Sequence, residues 1–265
     1  MNQTAAYYLT LTVLLAACSP AVNTPLAAHA PDVEALALTL AVQETAIGRI
    51  VPACEVSNQT RLKIMPLGDS ITYGEGDLRN GGYRNLLGAL LINDGYLIDF
   101  VGSQQSGEAV IPDPDNEGHS GWRIQNIRSS IDSERWLETY QPDIILLHIG
   151  SNDLRYGNQA YAPGNLSALL DDILVRLPQT HIIVAQIIPT RWGSDSNNRL
   201  YNDAIPAVVA SKGVQVSMVD MRNILSKSDF LTLYHPNAGG YAKMAYAWES
   251  AILALELEMG CNTPD

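Results

Sequence analysis

The sequence predicts an α/β fold, a three-layer α/β/α sandwich around a central parallel sheet of about five strands. Three observations carry that prediction. Short apolar runs alternate with stretches of helical periodicity, the pattern of a parallel sheet with helices on both faces. The run Asp143–Ile149 is apolar apart from Asp143 and His148, as a strand buried on both faces requires. A hydrophobic content of 46% against 17% charged residues, over 265 residues, is enough for a sizeable core.

The first strand is Leu62–Leu67, where Gly68 then permits an abrupt turn into Asp69 and Ser70. A helix follows over Tyr83–Asn93 and a second strand over Ile98–Gly102. The loop Ser103–Trp122 is long, Pro-containing and acidic, and long loops in compact domains are often functional. Helical segments Ile124–Ile131 and Ser133–Tyr140 lead to the third strand, Asp143–Ile149. Helix Asn165–Arg176, strand His181–Ile188, helix Asn197–Ser211 and strand Val214–Val219 continue the alternation, and a final helix spans Gly239–Glu258.

Ahead of this domain, expected over residues 58–260, the chain reads differently. Residues 1–18 resemble an export signal: an apolar run, Tyr7–Ala17, too short to span a bilayer, and then Cys18 after small residues. That ending resembles the bacterial lipoprotein signal, although the segment lacks Lys and Arg. It implies an exported protein, periplasmic, extracellular or attached to a membrane through a lipidated Cys18. Residues 19–57 are Ala- and Pro-rich and read as a tether. Export leaves two readings of Cys54 and Cys261 open, a disulfide between the ends of the domain or two free thiols. A net charge of −12 argues against nucleic acid, whose phosphates need Lys and Arg.

Chemistry-bearing residues gather where strands end. In an open α/β sheet, ligands bind beyond the carboxyl ends of the strands. Gly68-Asp69-Ser70 follows strand one, and His119-Ser120-Gly121-Trp122 lies in the loop after strand two. Gly150-Ser151-Asn152-Asp153 follows strand three, and His235-Pro236-Asn237 follows strand five. Each has a bland reading alone: Asp69 or Ser70 a helix cap, Gly121 a turn residue, Asn152 a cap, His235 a satisfied core histidine. Strand order nevertheless brings all four to one edge of the sheet. His119, His148 and His235 offer a metal-cluster alternative, against which His148 falls inside an apolar strand. There is no Gly-x-Ser-x-Gly elbow, no phosphate-binding loop and no His-Glu-x-x-His helix.

This set of blocks resembles the SGNH hydrolases, also called the GDSL esterase/lipase superfamily. Within it, Gly-His-Ser-Gly-Trp (Gly118–Trp122) and the run His235–Ala245 look most like carbohydrate esterase family 3, a group associated with removing acetyl groups from xylan. The resemblance implies a serine esterase acting on an acylated carbohydrate, with no metal and no cofactor. Ser70 would be the nucleophile and His235 the base. The N–H groups of Ser70 and Gly121 and the amide of Asn152 would face the oxyanion. Trp122, Tyr161 and Trp192 lie in loops expected at the same edge, where aromatic faces either stack on sugar rings or pack as lids and anchors. One position departs from the family, because Thr232 stands where an aspartate usually orients the histidine. Asp229 reaching in, a backbone carbonyl, or an impaired carbohydrate-binding relative remain open, as does a lipase-type esterase.

Overall fold

A computed structural model of the protein describes residues 61–107, 112–191 and 193–258. The expected signal, tether and cysteines (Cys18, Cys54 and Cys261) lie outside the described residues, as does Trp192. Among the described residues, seven strands form one sheet: β1 (Leu62–Gly68), β2 (Ile98–Phe100), β3 (Gln104–Gln105), β4 (Asp115–Gly118), β5 (Ile144–His148), β6 (His181–Gln186) and β7 (Val216–Asp220). The helices are α1 (Ser70–Tyr73), α2 (Gly82–Asn93), α3 (Ile124–Glu134), α4 (Trp136–Tyr140), α5 (Ser151–Arg155), α6 (Ala162–Arg176), α7 (Ser196–Ala210) and α8 (Ala238–Glu258).

β1 sits at the middle of the sheet. β5 pairs with it in parallel along one side, followed outward by β6 and β7, both parallel. Along its other side β1 is shared. Its first half pairs with β2, and its last two residues, Leu67 and Gly68, pair with Glu117 and Gly118 of β4. The five expected strands are all present. The two further ones, β3 and β4, come from the Ser103–Trp122 loop, where they form an antiparallel pair. Their polar residues hid them from a hydrophobicity reading.

Alternate side chains of each central strand enter opposite layers, which explains the unbroken apolar runs. Met65, Ile145, Leu147, Ile182 and Val184 pack under α3, α6 and α7. Ile64, Ile144, Leu146, Ile183 and Ala185 pack under α2 and α8, against Tyr83, Leu87, Met244 and Trp248. With both faces filled, the free edge is the one formed by the carboxyl ends of the strands. Gly68, where β1 stops, has no room for a side chain: a Cβ there would lie 2.3 Å from the His148 carbonyl oxygen. That close approach lets the chain turn from β1 straight into α1.

Candidate active site

α1 places Ser70 at the end of β1. Asp69 caps this short helix, its carboxylate accepting the Ile71 N–H at 3.0 Å. Ser70 is buried apart from 8% of its surface, and its Oγ lies 2.9 Å from His235 Nε2. The histidine arrives from 165 residues further along the chain, in the segment between β7 and α8. There the His235 carbonyl accepts the N–H groups of Leu231 and Thr232 at 3.0 and 3.3 Å. Thr232 Oγ1 accepts the His235 N–H at 3.0 Å and the Tyr234 N–H at 3.3 Å, and stands 3.2 Å from Nδ1. A neutral hydroxyl therefore meets the ring nitrogen that a carboxylate would otherwise orient.

Asp229 does not take that place, which corrects one of the sequence alternatives. Its carboxylate accepts the Ser226 N–H and O–H at 2.7 Å each and meets Lys243 Nζ at 2.7 Å. Burial alone would raise its pKa, but the Lys243 ammonium and the Ser226 donors outweigh it and hold the group down at about 2. Asp229 is committed to closing its own turn.

Two other sequence candidates converge on the serine. Asn152, in the first turn of α5, donates through Nδ2 to the Trp122 carbonyl at 3.0 Å and faces Asp69 Oδ2 at 3.4 Å. Gly121 is the third residue of a turn closed by Trp122 N–H on the His119 carbonyl at 3.1 Å, and its φ of +79° explains the glycine. Ser70, Gly121, Asn152 and His235 line one cavity of about 180 Å³. Burial pushes His235 below its ordinary pKa, while Glu75 pulls it up and Arg155 pushes it down. Burial also raises Asp69, to about 7, helped by nearby Asp153 and Glu75.

The three expected substrate-contacting aromatics fare differently. Trp122 is half-buried, stacks one ring face on His119 with centroids 3.8 Å apart, and accepts the Asn152 amide through its carbonyl. Tyr161 is exposed and lines a separate polar cavity with Arg123, Gln125 and Asn158, not the one at Ser70. Trp192 lies outside the described residues. Nor do the histidines cluster. His119 pairs with the buried Glu117 at 2.6 Å, and His148 lies in the core, where burial lowers its pKa to about 4. Among the described residues, no three His, Cys, Asp or Glu side chains are grouped to hold a metal ion.

Sequence reasoning missed four residues that line the cavity, Glu75, Arg155, Tyr156 and Tyr234. Glu75 places Oε2 3.4 Å from His235 Nε2, and its other oxygen accepts from the Ser120 hydroxyl. Arg155 lies over the Tyr234 ring at 4.6 Å, and both also line an adjoining cavity of about 270 Å³. Tyr234, beside the expected base, had a local signal. Glu75 had only its position just past the Ser70 turn, and Arg155 had none.

The sequence matches the GDSL-like Lipase/Acylhydrolase family over residues 67–243. It is 34% identical over 215 residues to a multidomain esterase of Ruminococcus flavefaciens, an alignment covering 71% of this chain and 28% of that protein. The chain thus spans under a third of that relative's length. Among solved structures it is similar to a Clostridium thermocellum family 3 carbohydrate esterase, with 39% identity and a TM-score of 0.67, covering 76% of this chain and all of that one. A variant acetyl esterase solved with an acetate ion is 29% identical with a TM-score of 0.63, over 75% of this chain and all of that one.

Proposed function

The chain belongs to the GDSL-like lipase/acylhydrolase family and is a carboxylic ester hydrolase, and we propose that it removes small acyl groups, acetyl above all, from an exported-side carbohydrate such as xylan. The observation that carries this reading is the Ser70 Oγ to His235 Nε2 contact of 2.9 Å inside a cavity that Gly121 and Asn152 also line.

In this reading His235 Nε2 takes the Ser70 proton as Oγ attacks the ester carbonyl, then returns it to the departing alcohol. The Ser70 and Gly121 N–H groups and the Asn152 amide receive the oxyanion. Removal of one such donor elsewhere costs about 10²–10³ in rate. The Trp122 carbonyl holds one Asn152 N–H at 3.0 Å, and the other, on the longer 3.4 Å contact with Asp69, is the one that turns to the oxyanion. Acceptance by Nε2 requires the resting proton on Nδ1, which faces Thr232 Oγ1, a hydroxyl oxygen already accepting the Tyr234 and His235 N–H groups. A cavity of about 180 Å³ lies below the range of roughly 300–1,000 Å³ usual for larger ligands, which favours a short acyl group. Similarity to family 3 carbohydrate esterases and to an acetyl esterase supports acetyl and carbohydrate. Residues 1–18 support export.

A second reading has one observation in its favour. The adjoining cavity is walled by Ile71, Leu154, Ile187, Ile188 and Leu233, which would suit a longer acyl chain of the lipase type. Initial rates on p-nitrophenyl acetate, butyrate and octanoate and on acetylated xylan decide between them. The proposal expects acetate and xylan to be preferred and all activity to vanish in Ser70→Ala. Preference for octanoate moves the enzyme to the lipase type, and full activity in Ser70→Ala removes Ser70 as nucleophile.

A further inference from the structure

His235 has a carboxylate neighbour, on the side opposite to the expected one. Among the described residues, Nδ1 faces Thr232 Oγ1, which already accepts two backbone N–H groups. Nε2 faces both Ser70 Oγ at 2.9 Å and Glu75 Oε2 at 3.4 Å. Glu75 is held from three directions. Its N–H donates to the Ser70 carbonyl at 2.9 Å, its own carbonyl accepts the Tyr241 hydroxyl at 2.6 Å, and its Oε1 accepts from Ser120. The carboxylate therefore stays beside the serine turn, and its side chain lines the same cavity.

We infer that Glu75 is the positioning carboxylate for His235, stabilising from the Nε2 side the imidazolium that forms when Ser70 gives up its proton. The inference rests on the reading of Ser70 as nucleophile and His235 as base. In the resting state Nε2 presents a lone pair, which a carboxylate at this distance does not favour. Once Nε2 carries the proton, the ring is cationic and its N–H can be shared between Glu75 and the leaving oxygen. The interaction thus grows on the way to the transition state, the condition for accelerating a step rather than tightening binding. Proton bookkeeping is unchanged: the Ser70 proton passes to Nε2 and on to the departing alkoxide as its C–O bond breaks, and Glu75 gains none. The other groups at the ring and in the cavity it lines are the cationic Arg155, which opposes Glu75, the titratable Asp69 and Tyr156, and Ser70, Thr232 and Tyr234.

The test is the pH profile of kcat/KM on p-nitrophenyl acetate from pH 5 to 9 for the parent, E75Q, S120A, T232D, the double variant E75Q/T232D, and S70A. Losing the negative charge makes His235 less basic. For E75Q the acid limb is expected about one pH unit lower, with the plateau down about tenfold. In the T232D background, where a carboxylate again serves Nδ1, the same change should cost no more than about threefold. An unmoved acid limb with equal losses in both backgrounds overturns the inference and leaves Glu75 a structural residue. Should E75Q fail to fold, S120A keeps the charge but removes the hydroxyl that holds Oε1, and its acid limb must move away from the parent's; no movement overturns the inference. Parent-like activity in S70A overturns the underlying reading instead, so the two failures are distinguishable.

Discussion

Asp69 carries a cost that its neighbour Ser70 does not reveal. It is fully buried, caps α1 through the Ile71 N–H, and has its pKa pushed up to about 7 by burial. The native group therefore holds a proton that the unfolded chain, with the ordinary value of 3.8, has already released. Its contribution to stability is fully present below the unfolded value, declines as pH rises through the window from 3.8 to about 7, and is lost above it. The full span is on the order of 4 kcal/mol, at about 1.4 kcal/mol for each pH unit. Asp69→Asn keeps a capping oxygen and removes the titration. Urea unfolding at pH 5 and pH 8 should show the parent losing stability between the two while the variant loses less, making the variant the more stable at pH 8. Equal slopes would mean that Asp69 is ionised at no cost in the native protein.

At the scale of elements, the serine turn and the oxyanion-side turn are held together by one buried cation. Arg84 of α2 is fully buried, and the carbonyls of Thr72, Tyr73, Asn80, Pro114 and Ser106 and the Ser106 hydroxyl, 2.7–3.2 Å from its nitrogens, share its five N–H groups. Two of those carbonyls end α1; two others flank the β3–β4 pair that leads to Gly121. Arg84→Met would fill much of the volume but strand this set of buried acceptors, at about 1–3 kcal/mol for each one left without water. The expected result is a loss of at least 3 kcal/mol in urea unfolding, with a fall in kcat that exceeds any change in KM, because both turns shift. A loss under 1 kcal/mol would show that water replaces the guanidinium freely. The same region explains what could be read from the sequence. β1, β5 and β6 were legible because both faces are apolar, and Ser70, Asn152 and His235 because they follow strand ends in recognisable blocks. β3 and β4 were not, because their pairing relies on polar residues such as Asn116 and Glu117, both fully buried. Asp229 stood closer in sequence to the motif than Glu75, yet Lys243 and Ser226 already held it. Long-range contacts of that kind leave no spacing signal.

For the whole molecule the relevant quantity is charge. The chain carries −12 at neutral pH, so an anionic polysaccharide approaches against a repulsive field while a neutral one does not. Screening changes this in a known direction, since the Debye length shrinks from about 30 Å at 0.01 M salt to about 8 Å at 0.15 M. Hydrolysis of neutral acetylated xylan should therefore be nearly flat across that range, while kcat/KM on an acetylated polymer of acidic sugars should rise with salt. One local feature opposes the net field: Arg155, beside Tyr234 and lining both the Ser70 cavity and its neighbour, would attract a substrate carboxylate at short range. If rates on the acidic polymer fall with salt instead, Arg155 outweighs the net charge, and Arg155→Gln should then abolish the fall. The direction of the salt dependence thus separates an enzyme shaped for neutral chains from one that selects acidic side groups.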